Sequence, residues 1–75
     1  MQELIEFMVK AIVSDKDAVS VSEVKEDRAT TYNVLVAQSD IGAVIGKGGK
    51  IAQAIRTIAK SASHRQFIRI KFDAK

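Results

Sequence analysis

The chain has 75 residues, 47% of them apolar and 28% charged, with no cysteine and no proline. That is room for one domain with a thin core, and it excludes disulfides, thiolate metal sites and cysteine nucleophiles. The net charge of +3 hides an asymmetry, because residues 1–40 sum to −4 and residues 41–75 to +7, a bias that raises the prior for a polyanionic partner.

No apolar run approaches the ~18 residues that span a bilayer. Met1 to Glu6 carries acids where a signal peptide carries bases. The expectation is a cytoplasmic protein with no membrane insertion, organised as a single domain over residues 1–75.

Residues 2–13 read as a helix whose apolar stripe is Leu4, Ile5, Met8 and Ile12. Glu3 and Glu6 suit the positive end of its dipole. Ser14 to Asp17 reads as a loop. Residues 18–24 read as a strand with Val19 and Val21 alternating against Ser20 and Ser22. Lys25 to Arg28 then forms a solvated hairpin loop. Residues 30–38 make a second strand, with Tyr32, Val34 and Val36 on one face.

Ser39 or Asp40 can cap a short helix starting near Ile41. Gly46, Gly48 and Gly49 interrupt it, and a second helix follows over residues 49–61. Its expected buried stripe is Ile51, Ile55, Ile58, Ala59 and Ala62, with Lys50, Gln53, Arg56, Thr57 and Lys60 toward solvent. Ser63 to Arg65 reads as a loop. Residues 66–72 read as the last strand, with Ile68, Ile70 and Phe72 inward and Arg69 and Lys71 outward. The order helix, strand, strand, helix, helix, strand implies an α+β fold. Three helices cover one face of a three-stranded mixed sheet. The hairpin is antiparallel, and the last strand returns parallel after a helical crossover.

Three glycines within Gly46 to Gly49 need a reason, since each costs ~1 kcal/mol relative to alanine inside a helix. A plain turn needs one. Glycine permits positive φ and close backbone approach. A tight turn into a second helix also leaves that helix's first N–H groups unpaired at the positive end of its dipole. Lys47 and Lys50 add charge beside the same spot, so the pattern suits a bound phosphate. The Walker loop fails on spacing, because only three residues separate Gly42 from Gly46-Lys47 and Gly48 follows the lysine. The dinucleotide fingerprint fails because its third glycine is Ile51. The surviving match is a G-x-x-G turn between two helices, the loop with which KH domains clamp a nucleic-acid backbone.

The run from Asp40 to Arg56, centred on Gly46-Lys47-Gly48-Gly49, resembles the KH motif. The order of elements resembles the type II arrangement, and the size and N-terminal helix resemble the small stand-alone bacterial KH proteins. The resemblance implies a groove for about four unpaired nucleotides of single-stranded RNA. In it, Gly46, Lys47, Gly48 and Gly49 hold the backbone, and Ile41, Val44 and Ile45 form an apolar floor. Lys50 and Arg56 reach phosphates. Gly48 stands where bacterial relatives often carry a polar or basic residue, which leaves Lys47 as the only charged side chain inside the clamp. The resemblance further implies an RNA chaperone or post-transcriptional regulator, acting as a homodimer or with a larger KH-domain RNA-binding protein. It also implies a role in cell elongation and envelope homeostasis.

Other residues carry less. His64 stands alone, without partners for metal binding or catalysis. Asp15 and Asp17 lack the rest of a calcium loop. Arg69 and Lys71 could extend the basic surface but read better as a solvated strand face, and Tyr32 and Phe67 could stack bases, as aromatics do on RNA-binding sheets, but read better as core. No triad or carboxylate pair can be assembled, and no cofactor or metal is implied, so the chain reads as a non-enzyme. Two other readings stay open: a protein–protein dimerisation module with a vestigial nucleic-acid site, and a single-stranded DNA binder.

Overall fold

A computed structural model describes residues 1–64 and 67–75. Its elements are α1 (Gln2–Lys10), β1 (Ser20–Lys25), β2 (Ala29–Val36), α2 (Ile41–Ile45), α3 (Lys50–Ala62) and β3 (Phe67–Ala74). Short 3-10 turns cover Lys16–Ala18, Gln38–Asp40 and Lys47–Gly49. The sheet order is β1-β2-β3. β1 pairs antiparallel with β2, Val21 opposite Val34, and β3 runs parallel to β2, Tyr32 beside Ile70. This is the expected αββααβ fold with a mixed sheet, consistent with the type II KH arrangement.

Alternation on the strands places the core. Tyr32, Val34 and Val36 from β2 and Ile68 and Ile70 from β3 are buried on the helix side. Ile5, Val9, Val13, Val44, Ile55 and Ala59 meet them from above. The Tyr32 hydroxyl donates to the Glu23 carboxylate; burial and that acid together hold its pKa above the ordinary phenol value.

The first helix ends at Lys10 rather than at residue 13. Beyond it the chain tightens, with the Ile12 N–H donating to the Val9 carbonyl at 3.0 Å and the Val13 N–H to the same oxygen at 3.2 Å. The buried stripe is therefore Ile5, Val9 and Val13, while Met8 and Ile12 only pack against its flank. β1 starts at Ser20 because the Val19 N–H closes the preceding turn on the Lys16 carbonyl.

Two further expectations are corrected. Asp40 makes no side-chain cap on α2. Its carboxylate instead accepts the backbone N–H groups of Ser14 and Asp15, each at 3.0 Å, and so ties the segment after α1 to the start of α2. Those bonds favour the ionised form and hold its pKa below the ordinary value. On α3 the buried residues are Ala52, Ile55 and Ala59. Ile51 is 37% exposed and Ile58 51%, and Ala62 is exposed. The two alanines let α3 lie close to the sheet, which a stripe of isoleucines would have held away.

His64 sits in a turn with φ 58°. Arg65 and Gln66, expected in the last loop and at the start of the last strand, lie outside the described residues. No described helix is long and apolar enough to cross a membrane. Among the described residues no group of three His, Cys, Asp or Glu could hold a metal ion.

The rotated stripe on α3 has a direct consequence. Ile55→Ala should lower unfolding free energy by about 2–5 kcal/mol. Ile58→Ala should cost less than about 1 kcal/mol. Urea titrations of dilute protein compare the two, and equal losses would contradict the observed rotation.

Candidate nucleic-acid interface

The turn between α2 and α3 is built on one close approach. Gly46 closes α2 by donating its N–H to the Gly42 carbonyl at 2.9 Å. Its backbone then leaves the helix at φ 75°, ψ 174°, a region open essentially to glycine alone. A Cβ there would lie 2.7 Å from Cγ1 of Ile51 and 2.9 Å from its Cβ. No ordinary side chain fits, so Gly46 lets the first turn of α3 lie against the end of α2.

Gly48 differs. Its φ of 64° and ψ of 20° are left-handed, and so is Gly49 at φ 77°, ψ 13°. Yet a Cβ at either position meets nothing within 4 Å. Both glycines serve backbone shape, and both leave open space above the loop. The Gly49 N–H donates to the Gly46 carbonyl at 3.2 Å, which folds Lys47 and Gly48 outward as an exposed tip. Behind it begins the 13-residue α3; the N–H of its first residue, Lys50, is taken by the Lys47 carbonyl, and the positive end of the helix dipole faces the tip. A negative group above this tip meets the positive end of a helix dipole and the Lys47 ammonium together.

The other residues singled out by sequence are placed unevenly. Val44 is fully buried and faces the core, so it supports the turn from beneath. Ile41 and Ile45 are half-buried, and Ile41 packs against the core edge. Lys50 is exposed, but it borders the space between α1 and α3 rather than the β3 side. Arg56 is fixed. Its Nε–H donates to the Ile70 carbonyl at 3.3 Å, and its guanidinium lies 5.3 Å from the centre of the Phe72 ring.

Arg56 also marks a feature legible in the sequence only in part, since Arg69 and Lys71 read there as an extension of the basic surface or a solvated face and Lys60 as solvent-facing. It lines a cleft of about 300 Å³ with Lys60, Ile68, Arg69, Ile70 and Lys71. Lys60 is one turn beyond Arg56 on the same side of α3. β3 is an edge strand, so Arg69 and Lys71 reach the rim of the cleft as well as the outer sheet face. Four cations therefore surround an apolar floor of Ile68 and Ile70. The available signal was the combination of an i, i+4 basic pair on the helix with a basic alternation on the last strand. The ion pairs elsewhere sharpen the contrast. Glu6 holds Lys10 at 3.0 Å and Glu23 holds Lys25 at 3.7 Å. Among the described residues Lys47, Lys60, Arg69 and Lys71 form none.

On its opposite flank α3 meets α1 over an almost wholly apolar groove of about 370 Å³, lined by Phe7, Met8, Ile12, Ile51, Ile55 and Ile58 among others. Phe7 is 73% exposed.

Gly46→Ala should destabilise the fold strongly, by more than about 3 kcal/mol, since strain and clash add. Gly48→Ala carries strain without a clash and should cost about 1–2 kcal/mol. Thermal melts of the two variants test this ordering, and equal shifts would refute it.

A family model for the KhpA/KhpB KH domain matches residues 2–73. The chain is 43% identical over 70 residues to the RNA-binding protein KhpA of Caldanaerobacter subterraneus subsp. tengcongensis, covering 93% of each chain. It is 41% identical over 70 residues to the RNA-binding protein KhpA of Clostridium acetobutylicum, again covering 93% of each. It is 37% identical over 71 residues to the RNA-binding protein KhpA of Borreliella burgdorferi, covering 95% of this chain and 87% of that one. Those names describe binding proteins rather than enzymes.

Proposed function

The chain belongs to the KhpA/KhpB KH-domain family, and from that membership we propose that it binds single-stranded RNA with the Gly46–Gly49 turn as its backbone grip. The observation that carries the reading is the conformation of that turn. Gly46 is forced by the Ile51 contact, the tip at Lys47 and Gly48 is open, and the start of α3 stands behind it. The backbone of the turn meets one phosphate, and Lys47 adds the charge. Ile41 and Ile45 offer apolar contact beside it. Arg56 and Lys60 carry the basic surface onward along α3 toward β3. Few phosphates are engaged, so affinity falls with salt on a shallow slope. On this reading the protein acts as an RNA chaperone or post-transcriptional regulator, the role that the KH resemblance implies, with cell elongation and envelope homeostasis as its setting.

The variant Lys47→Asp/Gly48→Asp tests the grip. Aspartate tolerates left-handed backbone better than most residues, and position 48 has open space, so the fold survives. RNA affinity measured by fluorescence anisotropy should drop at least tenfold while the circular dichroism spectrum stays unchanged. Full affinity in that folded variant would defeat the reading. Matched RNA and DNA oligomers in competition decide between the two nucleic acids.

A single small KH domain binds weakly, and pairing supplies avidity. The apolar groove between α1 and α3 favours such pairing. It exposes Phe7, Ile51 and Ile58 side by side, an unusual load for so small a surface. We read it as the face on which a second copy, or the KH domain of a larger partner, is seated. Phe7→Asp/Ile58→Asp should convert a dimer to a monomer in sedimentation velocity while secondary structure persists. A dimer that withstands both charges would place the contact elsewhere.

A further inference from the structure

The helix-facing residues of β3 are absorbed by the core, but its outward face carries an unexplained residue. Sequence patterning assigns Phe67 to the core, and the structure leaves it 73% exposed. Phe67, Arg69 and Lys71 alternate along β3 and so share the face of the sheet that turns away from the helices. Successive members of this row stand about 6.6 Å apart, two residues of strand rise. Ala29 of β2 lies beside Phe67 in the register and Thr31 beside Arg69. Neither neighbour covers the ring.

The β1–β2 loop forms the other wall. Phe67 borders a concavity of about 400 Å³ with Lys25, Glu26, Asp27, Arg28 and Thr30. Arg69 borders the adjoining one with Glu26, Asp27 and Arg28. The charges in this concavity are mixed. Glu26 and Asp27 disfavour a phosphate inside it, whereas Arg69 and Lys71 favour a phosphate just outside. A neutral, flat group in the concavity and an anionic group on the strand row satisfy both. A nucleotide has that division, with a π-face that stacks on an aromatic ring and a phosphate that meets cations.

The route from the glycine turn runs along one flank of α3. From Gly49 the helix α3 carries Arg56 two turns on and Lys60 one turn further, both on the cleft side. That cleft opens onto Arg69 and Lys71, and Phe67 lies two residues before Arg69. The 13 residues of α3 span about 20 Å. A stacked strand rises 3.4 Å per nucleotide, so about six nucleotides cover that distance.

We propose that the edge of β3 is a second contact zone for single-stranded RNA, in which Phe67 stacks one base beside the β1–β2 loop while Arg69 and Lys71 hold the neighbouring phosphates. The proposal rests on the RNA-binding reading and deepens it. The bound strand is longer than the four nucleotides of the glycine turn, and its far end is read by an aromatic ring.

The test compares a 4-nucleotide and a 12-nucleotide RNA by fluorescence anisotropy. Phe67 is exposed, so its replacements leave the fold intact, and circular dichroism checks this. Phe67→Ala should weaken the 12-mer about tenfold, the loss of one stacked base, and leave the 4-mer unchanged. Phe67→Leu should behave like Phe67→Ala, because apolar bulk without a π-face does not restore stacking. Phe67→Trp should retain wild-type affinity. The chain has no other tryptophan, and the fluorescence of this one should be quenched by the 12-mer and not by the 4-mer. Wild-type binding of both oligomers by Phe67→Ala, full affinity in Phe67→Leu, or no quenching in Phe67→Trp would each overturn the proposal. A change in sedimentation with no change in RNA affinity would overturn it in favour of a protein contact. The backbone grip is judged separately. If Lys47→Asp/Gly48→Asp leaves 4-mer binding intact, the grip reading fails whatever position 67 does. If that variant loses the 4-mer while Phe67→Ala behaves as wild type, only the second zone fails.

Discussion

The contact between Gly46 and Ile51 fixes more of this molecule than its size suggests. Any side chain at position 46 would press into Ile51, so the end of α2 and the start of α3 approach as only a glycine allows. The approach sets the rotation of α3 about its own axis. With Ile51 held at the turn, Ala52, Ile55 and Ala59 fall toward the sheet. The same rotation sends Arg56 and Lys60 to one flank and Ile58 to the other.

A chain this short cannot assign one element to each task. α3 carries three at once. Its inward stripe seals the core, its β3 flank is cationic and its α1 flank is apolar. The charge division along the sequence maps onto this arrangement. Three acids of the first half serve local ends. Glu6 pairs with Lys10, Glu23 takes the Tyr32 hydroxyl and stands near Lys25, and Asp40 ties two segments through backbone donors. The cations of the second half gather beside the turn and the open sheet edge. Cations along an edge also deter pairing with foreign strands, so the same charges protect the fold and favour an anionic ligand.

The fold was legible because its strands alternate cleanly and its turns are punctuated. Tyr32, Val34 and Val36, then Ile68, Ile70 and Phe72, named the inner face of the sheet, and the glycines named the helix junction. The rotation of α3 was harder to read. Ile51, Ile55 and Ile58 form a plausible apolar stripe on hydrophobicity alone, but close packing on a sheet rewards the smaller Ala52 and Ala59. Asp40 looked like a cap because acids before helices usually are; the competing donors at Ser14 and Asp15 are 26 and 25 residues away in sequence. The glycine turn was read from spacing, and its geometry adds the distinction between Gly46, which is sterically required, and Gly48, which is not. The basic cleft was legible only in pieces, because Arg56 with Lys60 and Arg69 with Lys71 look like separate, ordinary solvated faces until the open edge of β3 brings them together. Phe67 was misplaced by the general rule that aromatics are core, which fails where the alternation of the strand points outward.

That distinction between the two glycines bears on how the proposed grip tolerates a single charged side chain. On the proposed reading the grip depends on the φ and ψ of the turn, and those are set by Gly46 through Ile51 rather than by any charged side chain at position 48. The loop therefore keeps its shape with one lysine in it. If the turn is the grip proposed above, what it gives up in charge would be recovered along the strand, where contact with more nucleotides adds affinity, or across a pair of chains, where a second grip acts at high effective concentration. The two flanks of α3 face those two directions. The cationic flank leads away from the turn toward β3 along the path of a longer strand, and the apolar flank offers a surface that water leaves exposed at a cost. A grip as shallow as the one proposed would need at least one of them, and the rotation of α3 leaves both flanks open.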